Sequence, residues 1–438
     1  MRRHVVIGSG IAGLSACEAI RAADPSSQVT MVGEEPHPFY SRPGLAYLLT
    51  GSVPETSLYL RTPAEVAALG IRRVHARVAS VSIDAHQVTL EDGTILAYDR
   101  LLVATGAVSV PTPFPGAEKE GVLQLDGLDQ ARRMMKLARK GSSAVVVGGG
   151  STALEIVEGL QARGVRTHYF LRGDRYWSKV LDATESAIVE GRLEHEGVRV
   201  HRNTEVARVT GNGRMTGVVT EAGDAVPCEM LAVAVGVKPR LDLAKAAGIP
   251  VDRGIVVDEL LQTGAADVFA AGDVAQVTDP ETGRAELDTL WSSALAMGRA
   301  AGRNMTGAAE PYRKAVPMNV TRLAGLVTTV IGAVGGGKDP DMVGITRGQS
   351  EGWSGDAAAF TLQDRHGTDR VRVMLDERRV VGALVMGSQQ LSKPLSRLVA
   401  ERTDISSIRA ECAADPDAAL QRLLAFHDER YGGRAPAR

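Results

Sequence analysis

Three glycines near the N-terminus constrain the fold of this chain more than any other feature of its sequence. They are Gly8, Gly10 and Gly13, and they follow residues 4–7, of which the last three are apolar. This spacing predicts a buried strand, a tight turn and a helix that opens at Ile11 and Ala12. Gly10 lacks the Cβ that would strike a phosphate, and helix N-termini attract anions, so the turn is typical of a pyrophosphate site.

A carboxylate follows at the separation expected for a ribose contact. The apolar stretch 29–32 predicts the next strand, which ends in Gly33, Glu34 and Glu35. In dinucleotide-binding folds an acidic residue about 20 residues beyond the turn hydrogen-bonds a ribose hydroxyl. We therefore predict a dinucleotide site that includes Glu34 and Glu35.

Length and charge narrow the possible classes of protein. The chain has 438 residues, which predicts two or three domains, and its net charge of −2 gives no reason to expect nucleic acid as a partner. No apolar run is long enough to span a bilayer, and the predicted strand begins too early for a signal peptide. Cys17, Cys228 and Cys412 form no CxxC or metal-ligand spacing, so we expect no metal and a cytoplasmic protein with reduced thiols.

The opening pattern recurs about 140 residues later. An apolar strand over residues 144–147 leads into Gly148, Gly149 and Gly150 and then into a helix that begins at Ser151 and Thr152. Ala153 takes the place of the third glycine. Two such motifs in one chain, each between a strand and a helix, predict two nucleotide sites.

The second site has no acidic residue where the first has Glu34. Its next predicted strand, residues 167–172, ends in Leu171 and Arg172, and Arg175 follows. An arginine there can pair with a 2′-phosphate, so we predict that NADPH is favoured over NADH. The alternative is that Arg172 and Arg175 are solvated loop charges.

Several other segments end in residues that suit a bound cofactor. A short meander begins near Val78. The buried strand that follows this meander ends in three small residues, where backbone can approach a ligand. A further strand ends in Gly272 and Asp273, and a helix that opens at Leu290 and Trp291 directs its positive end to the same place. The loop around Arg42 and Pro43 can cover an anionic, flat cofactor. The small residues at the end of the buried strand are Ala104, Thr105 and Gly106.

The C-terminal part changes character from about residue 317. Residues 371–375 and 380–387 predict a hairpin around 376–379, followed by helices over 392–401 and 417–430. Between these strands and the preceding ones we expect an exposed connection over 335–356, and after the helices a disordered tail over 432–438.

Together these motifs resemble the two-dinucleotide-binding flavoprotein reductases, the superfamily of glutathione reductase. The Tyr40–Ser41–Arg42–Pro43 segment is similar to the branch of rubredoxin and ferredoxin reductases and the nitrite reductase large subunit. The resemblance implies an α/β fold with two Rossmann-like, glutathione-reductase-type dinucleotide-binding domains plus a C-terminal α+β domain. The domains expected are an FAD-binding domain (1–110 and 236–312), an NAD(P)H-binding domain (111–235) and an α+β dimerisation domain (313–438).

The resemblance also assigns candidate residues to each cofactor. Asp273 is implied to lie on the ribityl chain and Arg42 near the flavin or the pyrophosphate. The FAD residues are Gly8, Gly10, Ile11, Ala12, Gly13, Glu34, Glu35, Arg42, Pro43, Val78, Ala104, Thr105, Gly106, Gly272, Asp273, Leu290 and Trp291. The NAD(P)H residues are Gly148, Gly150, Ser151, Thr152, Ala153, Glu155, Arg172, Arg175 and Gly236. Glu155 is a candidate for orienting the nicotinamide, or else a polar residue favoured by the helix dipole.

Two departures from the family shape the functional prediction. The first is the absence of a redox thiol: the chain has no CxxxxC motif of the disulfide reductases, and residues 41–44 contain no cysteine. The second is that Ser151 and Thr152 stand where many relatives have an aromatic residue that gates the nicotinamide pocket. We therefore predict an NAD(P)H-dependent FAD oxidoreductase. It uses no redox-active cysteine of its own and passes electrons to a small redox protein or another acceptor. We expect the protein to form a homodimer. The alternatives are a quinone or oxygen reductase and a nucleotide-responsive binding flavoprotein with weak turnover.

Overall fold

The structure, a computed structural model, describes residues 1–278, 283–334 and 370–432. The connection predicted at 335–356 and residues 433–438 of the predicted tail lie outside these ranges. By its internal contacts the chain divides into two units. The first contains Met1–Tyr169 and Glu205–Lys314, and the second contains Phe170–Thr204 together with the described residues from Ala315 onward.

The strands are numbered in chain order. They are β1 (Arg3–Ile7), β2 (Gln28–Gly33), β3 (Ile71–His75), β4 (Val78–Ser82), β5 (Gln87–Leu90), β6 (Ile95–Ala97), β7 (Arg100–Val103), β8 (Ala107–Ser109), β9 (Val122–Leu123), β10 (Ser143–Val147), β11 (Arg166–Phe170), β12 (Arg199–His201), β13 (Val206–Asn212), β14 (Arg214–Thr220), β15 (Ala225–Pro227), β16 (Met230–Val233), β17 (Val237–Pro239), β18 (Ile255–Val256), β19 (Val268–Ala270), β20 (Ala275–Thr278), β21 (Ala285–Leu287), β22 (Met318–Leu323), β23 (Leu326–Gly332), β24 (Arg370–Leu375) and β25 (Val380–Met386).

The helices are numbered in the same way. They are α1 (Ile11–Ala23), α2 (Gly44–Thr50), α3 (Pro63–Ala68), α4 (Leu128–Leu137), α5 (Ser151–Ala162), α6 (Ala183–His195), α7 (Asp242–Ala246), α8 (Trp291–Met305), α9 (Ser392–Ala400), α10 (Ser406–Ala414) and α11 (Pro416–Tyr431).

A five-stranded parallel sheet forms the centre of the first unit. Its strand order is β19–β7–β1–β2–β3, and Val6 of β1 lies beside Leu102 on one side and Met31 on the other. Strands β1, β7 and β19 are buried almost throughout, because both faces of a parallel sheet are covered there, whereas the edge strand β3 contains two arginines and is largely accessible to solvent. The carboxyl ends of parallel strands meet at one edge, so the segments that follow β1, β2, β7 and β19 come together there.

A second parallel sheet in the same unit repeats this arrangement. It contains neighbouring strands in the order β11–β10–β16–β9, with Val147 at the end of β10 beside Val233 at the end of β16. The strand–turn–helix predicted from residues 144–155 is therefore confirmed as β10 followed by α5.

Helices α1 and α8 pack against each other at very short range in the first unit. A Cβ added at Gly298 would lie 2.2 Å from the Ala12 carbonyl oxygen, and one added at Gly302 would lie 2.5 Å from that of Ala16. Ser15 Oγ donates a hydrogen bond to the Leu295 carbonyl at 3.2 Å. Only small residues permit this approach, which brings the N-termini of both helices to the first sheet.

The second unit contains an antiparallel sheet with helices packed on it. The strand order is β22–β23–β25–β24, and the predicted hairpin is confirmed as β24 and β25. The core of this unit includes Val373, Val385 and Leu398. The two predicted C-terminal helices correspond to α9 and α11; α10 lies between them and was not predicted, because its run offers only Ile408 and Cys412 as large apolar residues.

Candidate functional site

The first glycine turn has the geometry that its spacing predicts. Gly8 has φ +122°, and a Cβ added to it would lie 2.0 Å from the Ala104 carbonyl oxygen. A Cβ at Gly13 would lie 1.9 Å from the Gly8 carbonyl oxygen, so this residue lets α1 pack on the turn. Around Gly10, by contrast, a Cβ would meet no atom of the described chain within 4 Å, which leaves open space beside the turn.

The N-terminus of α1 is left available to an anion. Its N-cap is Gly10, which offers no side chain to the free amides, and its first turn contains no acidic residue. The first-turn amides of a helix need partners, and together with the helix dipole they favour a negative group. Helix α5, which follows the second glycine turn at Gly150, has the same two properties.

Glu34 follows the end of β2, and its side chain lies against that of an arginine. Arg240 forms an ion pair with its carboxylate, and both side chains are about two-fifths exposed. Arg240 N donates a hydrogen bond to the Gly106 carbonyl at 3.0 Å, which ties it to the segment that follows β7. The carboxylate is therefore held at the sheet edge and keeps access to solvent.

The Arg42 guanidinium is held from two sides, by the segment after β2 and by the segment in front of α4. It donates to Glu35 Oε1 at 2.7 Å and to the Asp126 carbonyl. Tyr40 OH donates to Glu35 Oε2 at 2.9 Å and accepts a hydrogen bond from Leu128 N at 3.2 Å.

Burial and charge act in opposite directions on Arg42. Burial alone would lower its pKa, but Tyr40, Glu35 and Asp273 outweigh burial and raise it, so the side chain stays cationic. Burial, the largest cause, raises the pKa of Tyr40 to about 12 even though Arg42 opposes the shift. The loop therefore places a fixed positive charge near Asp273.

Several of the remaining candidates for the first site follow strands β7 and β19 at the same sheet edge. Ala104 and Thr105 follow β7, with Gly106 at φ +68°, and Gly272 follows β19 at φ +79° with its Cβ position 2.9 Å from the Ala12 Cβ. The other candidates belong to further segments of the first unit: Asp273 follows Gly272, Leu290 is the N-cap of α8, Trp291 opens α8, Pro43 precedes α2, and Val78 begins β4.

The second glycine turn repeats the first. Gly148 has φ +146°, and its Cβ position lies 2.2 Å from the Ala234 carbonyl oxygen and 3.0 Å from the Ala153 Cβ. Ala153 is fully buried and Gly236 has φ +125°. The structure thus brings Gly148, Ala153 and the Ala234–Gly236 segment together at the end of β10.

The side chains that follow this turn are small or half-buried. Ser151 is 3% exposed, while Thr152 and Glu155 are partly exposed on the first two turns of α5. Arg172 and Arg175 belong to the second unit, where Arg172 is exposed and Arg175 Nη1 pairs with Asp174 Oδ2 at 3.1 Å.

The cysteines are placed as packing residues. All three are buried. Burial raises the pKa of Cys17 and of Cys228 to about 12, which suppresses the thiolate that nucleophilic or redox chemistry requires. Within the described ranges no group of His, Cys, Asp and Glu side chains is arranged to hold a metal ion.

Two residues that contribute to the first site carried no sequence signal. Arg240 pairs with Glu34 across 206 positions, and Asp126 holds Arg42 through its carbonyl and Ser109 N through its carboxylate at 2.8 Å. Sequence spacing reports neighbours within one strand–turn–helix unit, and neither contact lies inside such a unit.

The residues fit FAD at the first site and a nicotinamide nucleotide at the second. Each glycine turn leads into an uncapped helix, and the Cβ position of Gly10 faces open space of the kind a pyrophosphate needs. This combination defines the class of two-dinucleotide-binding flavoprotein oxidoreductases. The chain belongs to the pyridine nucleotide-disulphide oxidoreductase family, whose model matches residues 2–298. It is an FAD-dependent NAD(P)H oxidoreductase.

Individual relatives support this membership. The chain is 32% identical over 328 residues to the biphenyl dioxygenase system ferredoxin–NAD(+) reductase component of Paraburkholderia xenovorans (strain LB400), covering 75% of this chain and 80% of that protein. It shares its fold with putidaredoxin reductase in a covalent complex with putidaredoxin (TM-score 0.83, 23% identity, 98% and 99% coverage). It also shares it with an engineered water-forming NADPH oxidase bound to NADPH (TM-score 0.80, 20% identity, 98% and 99% coverage).

Among the described residues, no helix combines the length and apolar character needed to cross a membrane.

Proposed function

We propose that this protein oxidises NADPH with FAD and passes the electrons on to a small redox protein, without a thiol relay. The observation that carries the choice of acceptor is the burial of all three cysteines, with Ser41 and Pro43 in the loop where thiol-dependent relatives place one. The similarity to a ferredoxin–NAD(+) reductase component and the fold of putidaredoxin reductase favour an iron–sulfur protein as the acceptor.

The preference for NADPH is supported by the end of β11. The engineered NADPH oxidase carries an aspartate-to-alanine change eighteen residues after a glycine-to-alanine change, followed at once by an alanine-to-arginine change. In this chain Leu171 lies eighteen residues after Ala153, and Arg172 follows it. The same three residue types, small, uncharged and basic, thus occur here at the same spacing.

The residues of the chain divide the work of binding. We assign the amides after Gly10 to the pyrophosphate of FAD and Glu34 to a ribose hydroxyl, with Arg240 holding that carboxylate in place. Arg42 fixes the loop that covers the cofactor, because it is bound on two sides. We assign the amides after Gly150 to the pyrophosphate of NADPH and the Arg172 guanidinium to its 2′-phosphate. Bound FAD would supply the chemistry of hydride acceptance at N5 and of electron release to the acceptor.

We also propose the remaining assignments made from the sequence. These are the three-domain division with an FAD-binding domain split by the NAD(P)H-binding domain, a cytoplasmic location, and a homodimer formed through the C-terminal domain. The other candidate residues at the two sheet edges, including Asp273 on the ribityl chain and Glu155 beside the nicotinamide, belong to the same proposal.

The first experiment is anaerobic mixing of the purified holoenzyme with NADPH and, separately, with NADH while flavin absorbance is recorded. Bleaching that is fast with NADPH and slow with NADH is the expected result. A preference for NADH would overturn the assignment of Arg172. No bleaching with either nucleotide would overturn the reductase and favour the nucleotide-responsive binding protein.

A variant separates the arginine from the rest of the site. Arg172→Leu removes a charge-assisted contact to phosphate, so we expect KM for NADPH to rise roughly 10- to 100-fold and that for NADH to change little. Arg166→Leu is the matched control, since Arg166 is an exposed arginine at the opposite end of the same strand. Equal effects of the two substitutions would contradict a specific role for Arg172.

A further inference from the structure

A cluster of buried charges lies in the second unit, outside the residues assigned above. Arg370 and Arg372 of β24 are 5% and 7% exposed, and both contact Glu185 of α6, which is fully buried. Arg372 Nε donates to Glu185 Oε1 at 2.8 Å and its Nη2 to Oε2 at 3.1 Å, while Arg370 Nε lies 3.4 Å from Oε1. Each charge is compensated, as burial requires.

The cluster holds the first turn of α6. Asp182 caps this helix by accepting from Glu185 N at 2.8 Å, and Glu185 Oε2 accepts in return from Asp182 N at 2.8 Å. Arg370 Nη2 donates to Asp182 Oδ2 at 2.5 Å. The capping box is thus enclosed by two arginines from a strand nearly 190 positions further along the chain.

The cluster also holds the segment that leads into α6, residues 171–182, which we call the nucleotide loop. Arg372 Nη2 donates to the Val180 carbonyl at 2.6 Å. In the middle of the loop, Tyr176 N donates to Glu190 Oε1 at 2.6 Å and the Tyr176 carbonyl accepts from Ser186 Oγ at 2.6 Å. Glu190 is 2% exposed. The second half of the nucleotide loop is therefore fixed to α6 and β24.

The beginning of the nucleotide loop is fixed by a different element. Leu171 N donates to the His201 carbonyl at 2.9 Å, and Thr204 N donates to the Leu171 carbonyl at 2.9 Å. Exposed Arg172 and half-buried Arg175 lie between the anchor at Leu171 and the anchor at Tyr176. A loop held at both ends presents its side chains with less conformational freedom to lose on binding, which strengthens recognition.

We infer that Arg372 is a positioning residue for nucleotide selection: the C-terminal strand β24 sets the path of the nucleotide loop and thereby the aim of Arg172. The inference rests on the proposed function, in which Arg172 contacts the 2′-phosphate of NADPH. It assigns to the C-terminal part of the chain a share in cofactor choice, through a contact with the Val180 carbonyl and not through contact with the nucleotide.

The test compares two substitutions in the holoenzyme, with ferricyanide as the electron acceptor. Arg372→Met removes every donor, and Arg372→Lys keeps the charge but cannot reach both Glu185 and Val180. Steady-state rates with NADPH and NADH give the ratio of the two kcat/KM values. We expect this ratio to fall about tenfold in Arg372→Met and less in Arg372→Lys, through KM for NADPH, with kcat within twofold of wild type.

The matched control is Arg378→Met. Arg378 lies in the turn between β24 and β25 and pairs with Asp404 in an exposed ion pair, with side chains 72% and 44% exposed. Its loss is expected to leave the ratio unchanged. If Arg372→Met does not fold, Arg372→Lys decides the question, and retention of FAD shows that the protein analysed is intact.

A double variant shows whether Arg372 acts through Arg172. In an Arg172→Leu background, Arg372→Lys should change the NADPH-to-NADH ratio no further; an equal further fall would overturn the inference. An unchanged ratio in Arg372→Lys and Arg372→Met, with wild type preferring NADPH, would overturn it as well. A wild-type enzyme that prefers NADH would instead overturn the proposed cofactor choice, so the two failures are distinguishable.

Discussion

Gly8 and Gly10 lie two residues apart in one turn, and each position is glycine for a different physical reason. Gly8 needs a positive φ and has no room for a Cβ, because the Ala104 carbonyl oxygen is 2.0 Å from that position. Gly10 has φ −77°, which any residue can adopt, and open space beside it. The chain itself requires glycine at position 8, whereas at position 10 glycine is required only by the ligand that we propose to bind there.

This difference gives a prediction for a pair of alanine variants. Gly8→Ala should destabilise the protein by more than about 2 kcal/mol, since it combines backbone strain with a steric clash. Gly10→Ala should leave the urea midpoint of the apoprotein nearly unchanged and weaken FAD binding at least tenfold. The measurements are urea unfolding and flavin titration of the apoproteins. Retention of normal FAD affinity by Gly10→Ala would place the pyrophosphate elsewhere.

His4 is a titratable side chain at the opposite end of β1. It is 1% exposed, and in the described part of the structure neither ring nitrogen has a hydrogen-bond partner. Burial, the largest cause, lowers its pKa to about 4; Arg2 and Arg100 act in the same direction, while Asp24 and Asp99 oppose them. The folded state therefore keeps His4 neutral at a pH where the unfolded chain protonates it.

We predict that stability falls with acidification between pH 6.5 and pH 4. Above the unfolded pKa of about 6.5 the contribution is fully present, and by pH 4 up to about 3 kcal/mol is lost, because the unfolded state binds the additional proton. In His4→Leu the dependence of the urea midpoint on pH should flatten in this interval. His195→Gln, at an exposed histidine, should retain the wild-type slope. Parallel curves for His4→Leu and wild type would contradict the prediction.

At the scale of elements, the contact between α1 and α8 depends on glycine. A Cβ at Gly298 would lie 2.2 Å from the Ala12 carbonyl oxygen and 2.3 Å from Ser15 Oγ. Gly191 is an exposed residue in the middle of α6, and a Cβ added to it would meet no atom of the described residues within 4 Å. Replacing glycine by alanine should therefore lower the free energy of unfolding in α8 and raise it in α6.

Gly298→Ala is expected to destabilise the protein by roughly 1–3 kcal/mol through overpacking. Gly191→Ala is expected to stabilise it by about 0.5–1 kcal/mol, because alanine loses less backbone entropy in a helix. Thermal unfolding of the two holoproteins measures both shifts. A neutral Gly298→Ala would mean that the helices can separate without cost.

Local units of the fold were predictable from the sequence, and their long-range connections were not. Both strand–turn–helix units and the β24–β25 hairpin follow from glycine spacing and alternating apolar runs within about 30 residues. The contacts of Glu34 with Arg240 and of Glu185 with Arg372 join residues about 190 to 210 positions apart. Nothing in the sequence distinguishes these arginines from the many that are solvated, because their partners are brought to them only by the tertiary fold.

At the scale of the whole molecule, the proposed dimer can be tested on β22. This strand lies at the edge of its sheet, and Met318 and Val320 are 45% and 56% exposed. We expect Val320→Glu to lower the fraction of dimer in sedimentation at micromolar concentration, since it places a charge in an apolar contact. Ile95→Glu, at a residue 57% exposed in the first unit, is the control. A wild-type monomer would contradict the proposal directly.

The two glycine turns have one further consequence. Gly8 and Gly148 meet the carbonyls of Ala104 and Ala234, and the amides of these alanines donate to Ile7 and Val147 at 2.7 and 2.8 Å. One backbone arrangement thus occurs twice, whereas the strands that follow the two turns, β2 and β11, end in different residues. Engineering the cofactor choice of either copy should therefore begin at those strand ends and leave the turn alone.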